Sequence, residues 1–210
     1  MHEGDTGDYS DRKGKEKVGL KIDKDITAIR ACFANNELTE LVFPDSLSTI
    51  ADGAFSCNLL KSVKLPKDLE GIGSRAFMNN CLESIVIPNS VRTIGAEAFR
   101  SNSLKVIKLS KYLDGIGNGV FMDNKLESIV LPAGLKWISD TAFKGNPIVS
   151  ITIGENLEGR DSDGIQSSIP YATAFGDYGA GFIESYIYNS TAVGTYEYNR
   201  VTKKWRISWT

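Results

Sequence analysis

The residues of this chain that can do chemistry are few and poorly placed for it. The one histidine, His2, stands in a polar N-terminal stretch, MHEGDTGDYSDRKGKEK. A Ser-His-Asp or Cys-His arrangement needs an imidazole held inside the fold, so catalysis of that kind is excluded. A His-ligated zinc site is excluded by the same argument. The cysteines are Cys32, Cys57 and Cys81. Their odd count speaks against a full disulfide framework. Cys57 and Cys81 lie in successive loops and either pair or stay as free thiols. Asp161-Ser162-Asp163-Gly164 places two carboxylates two residues apart, as a calcium loop begins, but the further acidic ligands are missing. Asp and Gly are also common turn residues, and a solvated turn is the expectation there. With no nucleophile motif, phosphate loop or other recognisable constellation, the chain is expected not to be an enzyme and to need neither metal nor cofactor.

Bulk properties narrow the field further. The 210 residues carry a formal net charge of −2 with 41% hydrophobic content, ordinary for a globular protein. An electrostatic nucleic-acid binder would show a basic surplus, so nucleic acid is not an expected partner. No apolar run approaches the ~20 residues of a membrane span. Residues 1–17 are polar and are expected to be disordered. They hold no apolar run of signal-peptide type. The compartment therefore stays open between the cytoplasm, export after removal of a leader, and export by another route.

What the sequence does carry is a repeat. Phe55, Phe77, Phe99, Phe121 and Phe143 are 22 residues apart without a slip. In the same register run Leu38, Leu60, Leu82, Leu104, Leu126 and Ile148, then Ile50, Ile72, Ile94, Ile116 and Ile138, and then Asn58, Asn80, Asn102, Asn124 and Asn146. A fixed period of this length means a solenoid rather than a pocketed domain.

One turn, Cys81 to Asn102, reads CLESIVIPNSVRTIGAEAFRSN. Leu82, Ile85 and Ile87 have the L-x-x-L-x-L spacing of a leucine-rich repeat strand. Alternation points Ile85 and Ile87 into the core and Ser84 and Val86 out of it. Pro88 removes a ladder donor and ends the strand. Val91 and Ile94 return to the core, Gly95 lets the chain turn, and Ala98 and Phe99 are expected in a short helical or 3₁₀ segment. The asparagine offers both donor and acceptor, and stacked copies are expected to bridge successive turns. Cys32 shares the column of Ala54, Ala76 and Ala98 and reads as a small buried residue. Seven strands are expected, starting near 18, 39, 61, 83, 105, 127 and 149, with an irregular first turn acting as a cap.

The segment IVIPNSVRTIGAEAF (Ile85 to Phe99), with the Ser-Asn or Asn-Asn close of each turn, resembles the BspA-like leucine-rich repeats of bacterial surface and secreted proteins. The resemblance is to the variant with 22-residue turns found in spirochaetes. It covers residues 18–158 and, more loosely, Ala174-Phe175-Gly176, Gly181-Phe182 and the stretch from Gly194 to Trp205. It implies an α/β leucine-rich repeat solenoid, rich in strand, and a role in protein contact such as adhesion to host proteins or other bacteria. A surface or periplasmic location, cell adhesion and virulence are part of that implication, and no catalytic residues carry over from it.

Function is expected on positions that the fold does not need. One outward column reads Thr39, Lys61, Glu83, Lys105, Glu127 and Val149, a self-neutralising ladder or a polar recognition strip. A second reads Glu40, Ser62, Ser84, Val106, Ser128 and Ser150. A third reads Val42, Lys64, Val86, Lys108, Val130 and Thr152. Tyr112 and Trp137 break columns that are otherwise polar or small, and exposed aromatics are frequent interface anchors. The partner-binding candidates are therefore Lys64, Val86, Lys108, Val130, Tyr112 and Trp137. Against this, Trp137 is also placed to pack under the C-terminal segment.

Periodicity stops after Leu157. Residues 159–181 read as an irregular loop and 182–210 as a C-terminal antiparallel β-meander. Its runs (Phe182 to Tyr188, Val193 to Tyr198, Lys203 to Trp209) carry aromatics in alternation. The expected task of that meander is to cover the open edge of the solenoid. Two functions follow: a protein-interaction module of adhesin type, and a scaffold in the cytoplasm or periplasm that forms homo-oligomers through its aromatic C-terminal region.

Overall fold

Strands of two to four residues do not persist alone; here each is stacked on the equivalent strand one turn along. The protein was analysed as a computed structural model, which describes residues 18–139, 141–153 and 194–208. A first file of strands comprises β1 (Gly19–Lys21), β3 (Glu40–Val42), β6 (Ser84–Val86), β8 (Val106–Lys108), β10 (Ser128–Leu131) and β12 (Ser150–Ile153). A second comprises β2 (Ala28–Ile29), β4 (Thr49–Ile50), β5 (Gly71–Ile72), β7 (Thr93–Ile94), β9 (Gly115–Ile116) and β11 (Trp137–Ile138). All pairings within these files are parallel. β13 (Gly194–Asn199) and β14 (Lys204–Ser208) then add an antiparallel hairpin to β12.

The expected solenoid is present, with three differences. No helix occurs among the described residues. Ala98–Phe99 lies in a tight turn, its Ala98 amide donating to the Gly95 carbonyl at 3.3 Å. The reason is that the amides are spent between turns: Phe99 N–H donates to the Val120 carbonyl at 2.9 Å. An α-helix would need those amides for itself. The second file of strands, where Val91 and Ile94 return to the core, replaces the expected helical face. The first file is also not one ladder. It forms β1–β3, β6–β8 and β10–β12, and residues 62–64 make no strand pairing. Bonds beside the strands keep that turn in step, Leu59 N–H to the Leu38 carbonyl at 2.8 Å and Cys81 N–H to the Leu60 carbonyl at 3.0 Å.

The phenylalanine column, with Phe33 as an added first member, is a stack of nearly parallel rings. Centroids are 5.5–5.6 Å apart from Phe33 to Phe143, with interplanar angles of 5–15°. Such pairs contribute about 0.5–1.5 kcal/mol each beyond burial of their area. Each asparagine ties two successive turns together. Asn102 Oδ1 accepts from Leu82 N–H at 3.0 Å, while its Nδ2 donates to the carbonyls of Phe77 at 2.9 Å and Phe99 at 3.1 Å. Asn58, Asn80, Asn124 and Asn146 repeat the pattern. All five are buried.

Two local readings change. Cys32 is exposed, because it sits in the first turn and among the described residues no turn precedes it to cover it. All three cysteines are free thiols. Gly95 is needed for close approach: a Cβ there would strike the backbone of Ser74 in the preceding turn. The expected DSDG turn, the loop 159–181, the strand Phe182 to Tyr188 and the N-terminal tail lie outside the described residues. The C-terminal hairpin does cover the solenoid end. Tyr196 and Trp205 are buried, and Tyr198 and Ile207 pack half-buried against the same core.

Replacing Asn102 by Ala strips the Leu82 amide of its acceptor and two carbonyls of their donor. At 1–3 kcal/mol per buried group left unpaired, urea unfolding should show a loss of about 3 kcal/mol. A loss below about 1 kcal/mol would mean that water or backbone repairs the break.

Candidate functional site

Side chains fill the interior, so surfaces are what the molecule offers. The first is the outward face of the first strand file. β3 and β6 alternate exposed, buried, exposed, which turns Glu40 and Val42, then Ser84 and Val86, to solvent. Val86 pairs in register with Lys108, and Val130 with Thr152. Lys64, Val86, Lys108 and Val130 are all exposed, the two valines at 58% and 64%. The four therefore share the outward side of the first file, Lys64 from the turn whose residues 62–64 make no strand pairing. Val106 belongs beside them, 65% exposed. Lys21 also joins, because it pairs with Val42. A strict 22-residue count misses Lys21, since the first step, from Lys21 to Val42, is one residue short. In the neighbouring column, Glu83 and Lys105 approach to 3.7 Å, one rung of the expected self-neutralising ladder.

The second surface is the flank carried by the other strand file, and Tyr112 and Trp137 lie there, apart from the first four. Ser90, in the column of Tyr112, donates to the carbonyls of Lys67 and Leu69 in the turn before. A phenol cannot repeat that bond from the same position. The Tyr112 ring instead lies against Lys111 Nζ, 4.7 Å from its centroid, with the Arg92 guanidinium at 6.0 Å. Trp137 does not pack under the described C-terminal strands. Its indole lies over Gly115, where a Cβ would fall inside the ring atoms, and 48% of the residue stays exposed. Further along, an open depression of about 520 Å³ has Gly71 and Gly73 as its floor and Thr49, Thr93 and Asp52 around it. Asp52 Oδ1 is occupied by Ser74 N–H at 2.7 Å. Polar groups do not converge there as a small-molecule site requires.

A third feature escaped the sequence reading. Asn35, Cys57, Asn79, Ser101, Asp123 and Gly145 form a column with φ between 54° and 73°, and Gly53, Arg75, Glu97 and Gly119 form another. Left-handed backbone at Arg75 and Glu97 costs about 1–2 kcal/mol each. An ionic cluster offsets part of this cost. Arg75 Nε is 2.5 Å and Arg100 Nη1 2.7 Å from Glu97 carboxylate oxygens, and Arg100 Nε is 3.4 Å from Asp123. The hydrogen bond from Arg75, aided by Arg100 and opposed by partial burial, holds the Glu97 carboxyl below its ordinary value of 4.5. Among the described residues, no group of three or more His, Cys, Asp or Glu is placed to hold a metal ion. No described helix is long and apolar enough to cross a membrane.

Against this geometry the comparisons with other proteins are consistent. The BspA-type leucine-rich repeat region, in six copies, matches residues 19–104 and 70–166. The crystal structure of a leucine-rich repeat protein from Bacteroides ovatus is 34% identical over 60% of this chain and 34% of that one, with a TM-score of 0.54. The pneumococcal vaccine antigen PcpA is 23% identical over 70% of this chain and 42% of its own, with a TM-score of 0.62, a likeness of fold. The chain therefore spans only about a third to two fifths of the length of these two. No protein with a curated description matches it.

Two outcomes are expected. A carboxylate with a depressed folded pKa contributes stability above its unfolded value and loses it as pH falls through the folded one. The stability gap between the native chain and a Glu97→Gln variant should therefore be constant at neutral pH and close below about pH 4.5, as urea titrations at each pH will show. Gly115→Ala should push Trp137 into solvent, raising acrylamide quenching of the fluorescence that Trp137→Phe removes. Gly71→Ala, whose Cβ meets only an ordinary contact with Thr49, should leave that quenching unchanged.

Proposed function

The chain belongs to the BspA-type leucine-rich repeat family, and on that premise we propose that it is a non-enzymatic protein-interaction module of adhesin type. It binds host or bacterial proteins through its exposed solenoid surface. The observation that carries this reading is the outward face of the first file, where exposed lysine and valine alternate from turn to turn. Extended, shallow and amphipathic surfaces suit protein partners, whereas small molecules need concavity.

A self-associating scaffold fits less well. The aromatic surface it would use loses Tyr196 and Trp205 to the core.

The test is solid-phase binding of the purified protein to extracellular-matrix extract and to whole bacterial cells. A Val86→Asp, Val130→Asp double variant should bind about tenfold or more weakly, by the usual sensitivity of central interface positions. Lys144→Ala, exposed in the turn after Phe143, should bind normally. Absence of binding by the native protein to both surfaces would contradict the reading, and unchanged binding by the double variant would remove this face as the site.

A further inference from the structure

The third outward column, completed by Lys21, reads Lys21, Val42, Lys64, Val86, Lys108, Val130 and Thr152. Cation and valine alternate strictly over six turns. Lys21, Lys64 and Lys108 are exposed, and among the described residues no carboxylate lies within ion-pair distance of any of them. The adjoining column differs, because there Glu83 is held by Lys105. Over the three outward columns, the cations are Lys21, Lys61, Lys64, Lys105 and Lys108, and the anions are Glu40, Glu83 and Glu127. This face is therefore net positive on a chain whose formal charge is −2.

Its period selects a partner. Turns repeat at about 5 Å by strand spacing, and the phenylalanine rings step along the same axis at 5.5 and 5.6 Å. Like members of the column therefore recur at about 10 Å, with a valine midway. A partner β-strand presents same-face residues at about 6.7 and 13.4 Å, and misses this interval. An α-helix places residue i+7 about 10.5 Å along and residues i+3 and i+4 midway on the same face. A sulfated polysaccharide could meet the lysines but has nothing for the valines.

We infer that this face docks an acidic amphipathic helix of a partner protein, laid along the solenoid axis. Carboxylates at every seventh residue meet Lys21, Lys64 and Lys108, and apolar residues three and four further on cover Val42, Val86 and Val130. The span from Lys21 to Lys108 is four turns, about 20 Å, which some fourteen helical residues match. The inference rests on the protein-interaction reading and names the chemistry of the partner.

The test uses fluorescence anisotropy with the full chain and a labelled helical peptide carrying glutamate at every seventh position and leucine three and four residues after each. A second peptide of equal composition carries its glutamates at every fifth position. The first should bind and the second should not, with affinity falling as salt rises. Lys64→Glu with Lys108→Glu should weaken binding by about tenfold or more, as should Val86→Ser with Val130→Ser. Equal binding of the two peptides, indifference to the charge reversal, or binding of heparin in place of the peptide would overturn the inference. Should the charge reversal leave the peptide unaffected while Val86→Asp, Val130→Asp still abolishes capture on cells, the helix inference fails alone. Loss of neither removes this face as the binding site as well.

Discussion

The side-chain amide of one asparagine per turn is the interaction on which the rest depends. A solenoid turn of this length must fold its backbone back on itself, and each reversal leaves amides and carbonyls without a strand partner. Burying those groups unpaired would cost more than the apolar column beside them returns. The asparagine accepts from a leucine amide one turn back and donates to phenylalanine carbonyls in two turns. It thereby licenses the stacked rings of Phe33 through Phe143 and the fully buried leucine column next to them. Strands of two residues become stable because neighbours on both sides are locked in register.

This economy also shapes the surface. Interior positions are consumed by leucine, isoleucine, alanine and phenylalanine, and the amides of the turns are spent on the next turn. What stays variable is the outward face of each strand, repeated at a fixed interval. A partner that reads this face meets side chains at a fixed interval along the axis. Protection of the C-terminal end follows from the same physics. The C-terminal hairpin pairs antiparallel with Ser150–Ile153 and seats Tyr196 and Trp205 on the last turn, so the ladder does not end in an apolar edge there.

Most of this architecture was legible from residue spacing, because a 22-residue period places the same side chain in the same environment at every turn. Asn102 and Phe99 could be assigned bonding and burial from their columns alone. The helical segment was misjudged at Ala98 and Phe99 because composition does not reveal which amides are claimed by a neighbouring turn. Cys32 was misplaced since column membership assumes a turn on each side. Lys21 was missed because the first step is a residue short. The left-handed column was written in Asn35, Asn79, Asp123 and Gly145, but Cys57 and Ser101 obscure it. Tyr112 and Trp137 are exposed, as their columns suggested, yet their separation from the Lys64–Val130 face depends on the second strand file, which no local pattern announced.

The measurement that tests the central claim most directly is amide hydrogen exchange resolved by residue. The amides of Leu60, Leu82, Leu104 and Leu126 each donate to an asparagine side chain rather than to a strand. If those bonds hold the turns together, the four should exchange as slowly as strand amides and at similar rates along the solenoid. Exchange at the rate of exposed loop amides would contradict the account, and would leave the turns held by apolar stacking alone.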